Sequence, residues 1–180
     1  VELSPKVKAA VEKLFGRPLT AAEEVDMIVN DIRKEGDAKL FAYTKMLDGA
    51  DLNPETIKVS EAEFAEAEKA VDPKTMGAIN RAIANVRKFH EEQLPKTWLT
   101  PRAYGSFLGQ KMTPVDSVGI YVPGGTAAYP SSVIMNAVPA KVAGVPRIVM
   151  AAPAGRDGKM NPYVLATAKA IGITEIYKMG

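Results

Sequence analysis

Apolar residues in the first half of the chain recur every three or four positions, which is the spacing of an amphipathic α-helix. The clearest case follows Thr20, where the capping-box pattern Thr-x-x-Glu precedes an apolar stripe that ends at Gly36. The predicted helices begin at or after Ser4, Thr20, Asp37, Ser60 and Asp72, and they end near Gly16, Gly36, Leu47, Ala70 and His90. One short strand is predicted at 57–59. The first half is therefore expected to be mostly helical.

Beyond about residue 100 the pattern changes to short apolar strands, covered on both faces, that alternate with helices. The predicted strands are 106–112, 117–122, 147–152 and 174–177, and the predicted helices are 131–142 and 163–171. From residue 117 onward the order is βαβαβ, which is half of a doubly wound parallel sheet. We therefore predict an α/β fold in which a helical N-terminal segment (1–100) precedes the first part of a Rossmann-like domain (101–180).

Three parallel strands by themselves would leave strand edges and apolar surface uncovered. We therefore expect the sheet to be incomplete at its C-terminal end and the chain to be a truncated piece of a longer protein.

Composition narrows the function classes. With 47% hydrophobic residues the chain can bury a core, and its net charge of +2 gives no sign of a nucleic-acid or membrane surface. The sequence contains no cysteine and a single histidine, His90, which excludes thiolate metal sites, a cysteine nucleophile and any two-histidine metal site within these residues. No apolar run approaches the roughly 20 residues of a membrane span. We expect a cytoplasmic protein that binds neither nucleic acid nor membranes.

The loop after the strand at 117–122 is the strongest candidate for a ligand site. Open parallel sheets bind ligands beyond the carboxyl ends of their strands, and Gly124 and Gly125 lie there. Glycines at this position would let backbone N–H groups approach an anion at the start of the next helix. The possible side-chain partners of such a ligand are the hydroxyls of Thr126, Ser131 and Ser132 and the rings of Tyr121 or Tyr129.

This loop departs from the ordinary dinucleotide fingerprint. It does not contain G-x-G-x-x-G, and the strand at 147–152 ends without an Asp or Glu that could hold a ribose hydroxyl. The alternative interpretation is that Pro123-Gly-Gly forms only a tight turn, because glycines commonly follow strands.

The residues of this region carry a resemblance to a known family. Residues 118–126 (VGIYVPGGT) resemble the signature region of histidinol dehydrogenases. Further matching stretches are 36–37 (GD), 43–44 (YT), 89–93 (FHEEQ), 129–132 (YPSS), 135–136 (MN), 139–140 (PA) and 143–145 (AGV). The resemblance implies a homodimeric enzyme of aldehyde-dehydrogenase-like fold that depends on zinc and NAD. Such an enzyme oxidises L-histidinol to L-histidine in the last step of histidine biosynthesis.

The resemblance assigns only part of the family's functional set to this sequence. It implies that residues 101–180 begin the NAD-binding domain and that Tyr121 contacts the cofactor. Gly124 and Gly125 match the motif, and their contact with NAD is inferred because glycines let backbone N–H groups approach an anion. The family's zinc ligands and its Glu-His acid/base pair are expected beyond Gly180, so these residues alone should hold no zinc and catalyse no reaction.

Two alternatives remain open at this point. The chain could belong to a related NAD-dependent dehydrogenase of another small hydroxylated substrate, or it could be a non-catalytic nucleotide-binding module. His90 lies at the end of an apolar stripe and is interpreted as a core or edge residue rather than a base or ligand. Trp98 is interpreted as a packed linker residue rather than an interface anchor.

Overall fold

The structure, a computed structural model, describes residues 11–12, 15–124 and 128–180. Its helices are α1 (Ala21–Glu35), α2 (Asp37–Leu47), α3 (Glu61–Ala70), α4 (Pro73–Glu92), α5 (Pro130–Val142) and α6 (Pro162–Ile171). Its strands are β1 (Trp98–Pro101), β2 (Phe107–Gln110), β3 (Ser117–Tyr121), β4 (Arg147–Ala152) and β5 (Glu175–Lys178). The helix predicted after Ser4 falls mostly outside the described residues.

Three helices begin at the predicted caps. The Thr20 hydroxyl accepts a hydrogen bond from the Glu23 N–H, and the Glu23 carboxylate accepts one from the Thr20 N–H at 2.8 Å. Ser60 and Glu63 form the same reciprocal pair at the start of α3. The Asp72 carboxylate accepts from the Thr75 N–H ahead of α4. Each cap satisfies backbone donors that the first helical turn leaves without partners, so these predictions are confirmed.

The second half contains the predicted parallel sheet. Its described strands lie in the order β3-β4-β5, with α5 and α6 as the crossovers. Because parallel crossovers are right-handed, two connections that step in the same direction place both helices on one face. Ile120, Met150 and Ile176 are buried on that face. The mixed α/β fold with a parallel sheet is therefore confirmed.

The opposite face of β3 is open in the described part of the chain. Ser117, Gly119 and Tyr121 alternate with the buried side of the strand and are exposed. The prediction that this strand is covered on both faces is wrong for these residues, because no described element packs over that side of β3.

The segment at 57–59 lies antiparallel beside β5. Lys58 pairs with Tyr177, and the Val59 N–H donates to the Ile176 carbonyl at 2.9 Å. The predicted short strand is reduced here to an isolated β-bridge at Lys58, and this segment covers one edge of the sheet. The outer edge of β3 has no strand partner among the residues that the structure describes.

One hydrophobic core joins the two halves. Phe64 of α3 and Ile79 of α4 belong to the same buried cluster as Val133 of α5, Leu165 of α6 and Ile148 of β4. The division at residue 100 stays a prediction. None of the described helices combines the length and the apolar composition that a membrane-spanning helix requires.

A β-hairpin connects the helical half to the sheet, and the sequence predicted only one of its strands. β1 and β2 pair antiparallel, with Leu99 opposite Gly109. The strand predicted at 106–112 is observed as β2, whereas β1 lies where the sequence indicated a linker. Pro101 interrupts the β pattern of β1, because proline is uncommon in strands and has no N–H to donate to a neighbouring strand.

Candidate cofactor-binding site

A cavity of about 1000 Å³ opens at the carboxyl ends of the three parallel strands. Its walls come from the ends of β3 and β4, the loop at 153–161, the start of α6, and the turn after α2. Its volume is at the upper end of the range typical of small-molecule and cofactor sites. Open parallel sheets bind ligands at this edge, so the cavity lies where the sequence placed the candidate site.

Tyr121 lines this cavity as the last residue of β3. Ile120 and Val122, its neighbours in the chain, point into the core and are buried, so the alternation of the strand turns the Tyr121 ring outward. The Tyr121 side chain is 52% exposed. A half-exposed ring beside a cavity can provide a stacking surface and a hydroxyl for a ligand.

Gly124 marks a close approach between two loops. A Cβ atom at this position would lie 2.3 Å from Cγ of Pro153, which is closer than real Cβ contacts come. The loop after β3 therefore passes directly against the loop after β4, and glycine is required there because it has no side chain. The two loops form one continuous wall of the cavity.

The loop between β4 and α6 is held by its own hydrogen bonds. The Gly155 N–H donates to the Lys159 carbonyl at 2.8 Å, and the Asp157 carboxylate accepts from the Lys159 N–H at 3.1 Å. The loop leads into α6, whose N-cap is Asn161. Asn161 also lines the cavity, so the positive end of the α6 dipole lies at its wall.

The helical half contributes the facing wall through the turn at Asp48-Gly49. The Asp48 carboxylate lines the cavity and accepts a hydrogen bond from the Gly180 N–H at 3.2 Å. Partial burial raises the pKa of this carboxyl above its ordinary value, and the Gly180 hydrogen bond opposes that shift. The Arg156 side chain crosses Gly49, where a Cβ atom would lie 3.1 Å from its Cγ.

The predicted site residues fall into three groups. Tyr121 and Gly124 line the cavity. Gly125 and Thr126 lie outside the described residues. Ser131 and Ser132 lie in the first turn of α5 and are not among the described residues that line the cavity. The cap of α5 is Tyr129, and neither serine caps the helix, because Pro130 occupies the first helical position and pushes the cap one residue back.

Sequence reasoning missed Asp48 and Arg156, which come from different loops. Arg156 could have been noticed, since the loop after the second strand of a βαβ unit commonly faces the ligand. Nothing in the sequence links Asp48 to that loop, because the contact depends on how the helical half packs against the sheet. His90 lies at the end of α4, where Nδ1 is 2.7 Å from Oε1 of Gln93, and does not line the cavity.

No group of three or more acidic or histidine side chains that could hold a metal ion occurs within residues 11–12, 15–124 and 128–180. The described part of the chain therefore does not fit a catalytic zinc site, which needs three protein ligands.

Comparison with known proteins identifies the family. The histidinol dehydrogenase family model matches residues 17–180. The chain is 52% identical over 157 residues to histidinol dehydrogenase of Heliobacterium mobile, covering 87% of this chain and 37% of that protein. For the Bacillus subtilis enzyme the identity is 47% over 156 residues, covering 87% and 36%. The chain thus spans little more than a third of the length of these relatives.

Comparison with solved structures identifies the same family. A crystal structure of histidinol dehydrogenase from Elizabethkingia anophelis superposes with a TM-score of 0.83 and 35% sequence identity, over 96% of this chain and 40% of that one. Sequence and structure agree over almost the whole of the described chain. The chain therefore belongs to the histidinol dehydrogenase family.

Proposed function

We propose that this chain forms part of the NAD-binding region of a cytoplasmic enzyme that oxidises L-histidinol to L-histidine in histidine biosynthesis. The observation that carries the proposal is the half-exposed Tyr121 ring in a large cavity at the carboxyl edge of a parallel sheet, in a chain that belongs to this family. The activity itself belongs to the whole enzyme.

The proposed fold is Rossmann-like and related to the aldehyde dehydrogenases. Two features support it: sequential strand order with both crossover helices on one face, and a cavity at the carboxyl edge. In this arrangement the outer edge of β3 is the position at which a second half of the sheet would join. The absence of G-x-G-x-x-G is then a variation on the ordinary phosphate loop, with Pro123-Gly-Gly in its place.

NAD, when bound, supplies the hydride acceptor for the oxidation. The proposed roles of this chain's residues are to bind and orient it. Tyr121 packs its ring on the cofactor, and Gly124 and Gly125 let backbone N–H groups approach the pyrophosphate. Thr126, which precedes α5 in the sequence, and Ser131 and Ser132, in the first turn of α5, remain proposed hydroxyl donors. The dipole of α5 also favours an anion at its start.

Zinc dependence and homodimer formation are proposed only because the chain belongs to this family. The described residues offer no three-ligand set, so no step of the reaction is assigned to a metal held by them. Binding of L-histidinol is likewise assigned to the whole enzyme.

The decisive variant is Tyr121→Ala in the full-length chain. Loss of one stacking or hydrogen-bonding contact is expected to raise the KM for NAD about tenfold, which corresponds to ~1.4 kcal/mol. The KM for histidinol is expected to change little, because Tyr121 acts on the cofactor. Steady-state kinetics with each substrate varied in turn measures both effects, and Tyr121→Phe separates the ring from the hydroxyl.

Tyr104→Ala is the matched control, because Tyr104 is fully exposed and is not among the described residues that line the cavity. It is expected to leave the KM for NAD unchanged. If Tyr121→Ala instead lowers thermal stability and leaves NAD kinetics unaltered, Tyr121 is a packing residue and the proposed cofactor site is wrong. Failure of the wild-type full-length chain to turn over histidinol with NAD and zinc would refute the proposed activity.

A further inference from the structure

The strand that usually supplies a ribose-binding acid has none at its end. In ordinary dinucleotide-binding folds an Asp or Glu at the end of the second strand accepts hydrogen bonds from the adenosine ribose. Here that strand, β4, ends in Ala151-Ala152 and is followed by Pro153-Ala154. The cavity at this edge nevertheless contains a carboxylate from elsewhere in the chain, that of Asp48.

Asp48 has acceptor capacity that the protein does not use. A carboxylate offers about four lone-pair positions. In the part of the chain that the structure describes, Asp48 accepts one hydrogen bond, from the Gly180 N–H, and no Lys or Arg nitrogen lies within 4.0 Å of it. The carboxylate is also partly buried, which raises its pKa because part of its hydration is lost. Hydroxyl donors from a ligand would replace that lost hydration.

Its position in the cavity corresponds to the adenosine end of a dinucleotide. Gly180, its hydrogen-bond donor, follows β5, whereas Tyr121 ends β3, so the two side chains lie on opposite sides of β4. In ordinary dinucleotide-binding folds the pyrophosphate lies at the loop after the first strand and the adenosine extends toward the second. By that rule, a pyrophosphate at the loop after β3 would send the adenosine ribose toward Asp48.

We propose that Asp48 accepts hydrogen bonds from the adenosine ribose hydroxyls of the bound dinucleotide and thereby selects NAD over its 2′-phosphorylated form. This inference rests on the proposed function, because it presumes that the cavity binds a dinucleotide. The carboxylate would repel a 2′-phosphate, whereas the ribose of NAD offers it two hydroxyl donors. Arg156 passes close to the turn that presents Asp48, because a Cβ atom at Gly49 would lie 3.1 Å from its Cγ.

Arg156 determines what the proposal predicts for the binding of a 2′-phosphate. Arg156 lines the same cavity, and arginine is the residue that accommodates a 2′-phosphate in dinucleotide sites. With the negative charge of Asp48 removed, Arg156 would remain to attract the phosphate. Asp48→Asn is therefore expected to weaken the binding of NAD and to strengthen the binding of NADP in the same protein.

The test compares NAD and NADP as cofactors of the full-length chain, by kcat/KM and by equilibrium binding of each dinucleotide. For Asp48→Asn the KM for NAD is expected to rise about tenfold, and the ratio of kcat/KM for NAD to that for NADP to fall by at least as much. Asp48→Ser provides a second variant, and thermal unfolding checks that both are folded. Asp51→Asn is the matched control, since Asp51 is exposed, pairs with Lys45 and does not line the cavity.

Three results would overturn the inference. An unchanged NAD-to-NADP ratio in the folded Asp48 variants would exclude Asp48 while leaving the cofactor site intact. The same shift in Asp157→Asn alone would assign the role to Asp157, which lines the cavity but already accepts the Lys159 N–H. No NAD binding by the wild-type full-length chain, together with no effect of Tyr121→Ala, would remove the proposed function as well.

Discussion

Tyr43 is a residue whose pKa is changed by both burial and a neighbouring charge. Its side chain is buried between α1 and α2, and its hydroxyl donates to the Asp31 carboxylate at 2.5 Å. Lys39 lies 3.7 Å from the same carboxylate and 5.6 Å from the centre of the Tyr43 ring. Burial, and then the hydrogen bond to Asp31, raise the pKa of Tyr43 to about 12. The neutral phenol thus ties the second helix to the first.

Tyr43→Phe is expected to lower the free energy of unfolding by about 1.5 kcal/mol near neutral pH, because it removes a hydrogen bond to a charged acceptor. A raised pKa means that this contribution is fully present below the unfolded value of 10 and is lost as the pH rises toward about 12. The difference between wild type and variant, measured by urea unfolding, is therefore expected to shrink above pH 10. Tyr104→Phe, at a fully exposed ring, is the control.

Lys178 forms the most buried ion pair among the described residues. Its side chain is 5% exposed, and its Nζ lies 2.6 Å from Oε1 of Glu63. Burial alone would raise the pKa of Glu63, but the hydrogen bonds from Lys178 and Ser60 outweigh it and hold that pKa below its ordinary value. The pair joins β5 to the capping box of α3, so one glutamate serves both a helix start and a contact with the sheet.

Lys178→Met is expected to destabilise the protein by about 3 kcal/mol, because it leaves the Glu63 carboxylate without its cation. Adding Glu63→Gln is expected to restore part of that loss, and a double-mutant cycle measures the coupling. Since the pKa of Glu63 is lowered, the contribution is present above about pH 4.5 and lost as the pH falls through the folded value. Additive effects of the two substitutions at pH 7 would contradict this account; the exposed pair Lys45–Asp51 is the comparison.

At the scale of elements, the sequence predicts helix starts and strand order, because contiguous residues determine both. The starts of α1, α3 and α4 follow from caps that lie within four residues of the helix, and they are observed where the sequence places them. The βαβαβ order follows in the same way, because short apolar runs alternate along the chain with segments of helical periodicity. Both signals are read from contiguous residues.

Elements that depend on distant contacts were harder to predict. β1 contains Pro101, which is uncommon in strands, and only its pairing with β2 defines it as a strand. The same reason explains the site: Tyr121 and Gly124 belong to the loop that the sequence singled out, whereas Asp48 reaches the cavity through the packing of Ala50 and Leu52 against Ala154. Sequence periodicity contains no information about that contact.

At the scale of the molecule, the hairpin of β1 and β2 presents an apolar surface. Leu99, Phe107 and Leu108 are 68%, 65% and 56% exposed. Leu99 and Pro101 pair with Gly109 and Phe107, so Leu99 and Phe107 share one face of the hairpin. Contiguous exposed apolar surface is typical of protein interaction sites. The hairpin is therefore the described surface best suited to the association that the proposed homodimer requires.

We expect the 180-residue chain to self-associate as its concentration rises, and Leu99→Ser combined with Phe107→Ser to weaken that association. Both side chains are exposed, so the double variant is expected to leave thermal stability nearly unchanged, which separates loss of an interface from loss of folding. Sedimentation velocity over a range of concentrations measures the effect. Val25→Ser, at an exposed apolar residue of α1 far from the hairpin in sequence, is the control. A wild-type chain that stays monomeric at every concentration, or a double variant that associates as wild type does, would show that another surface forms the interface.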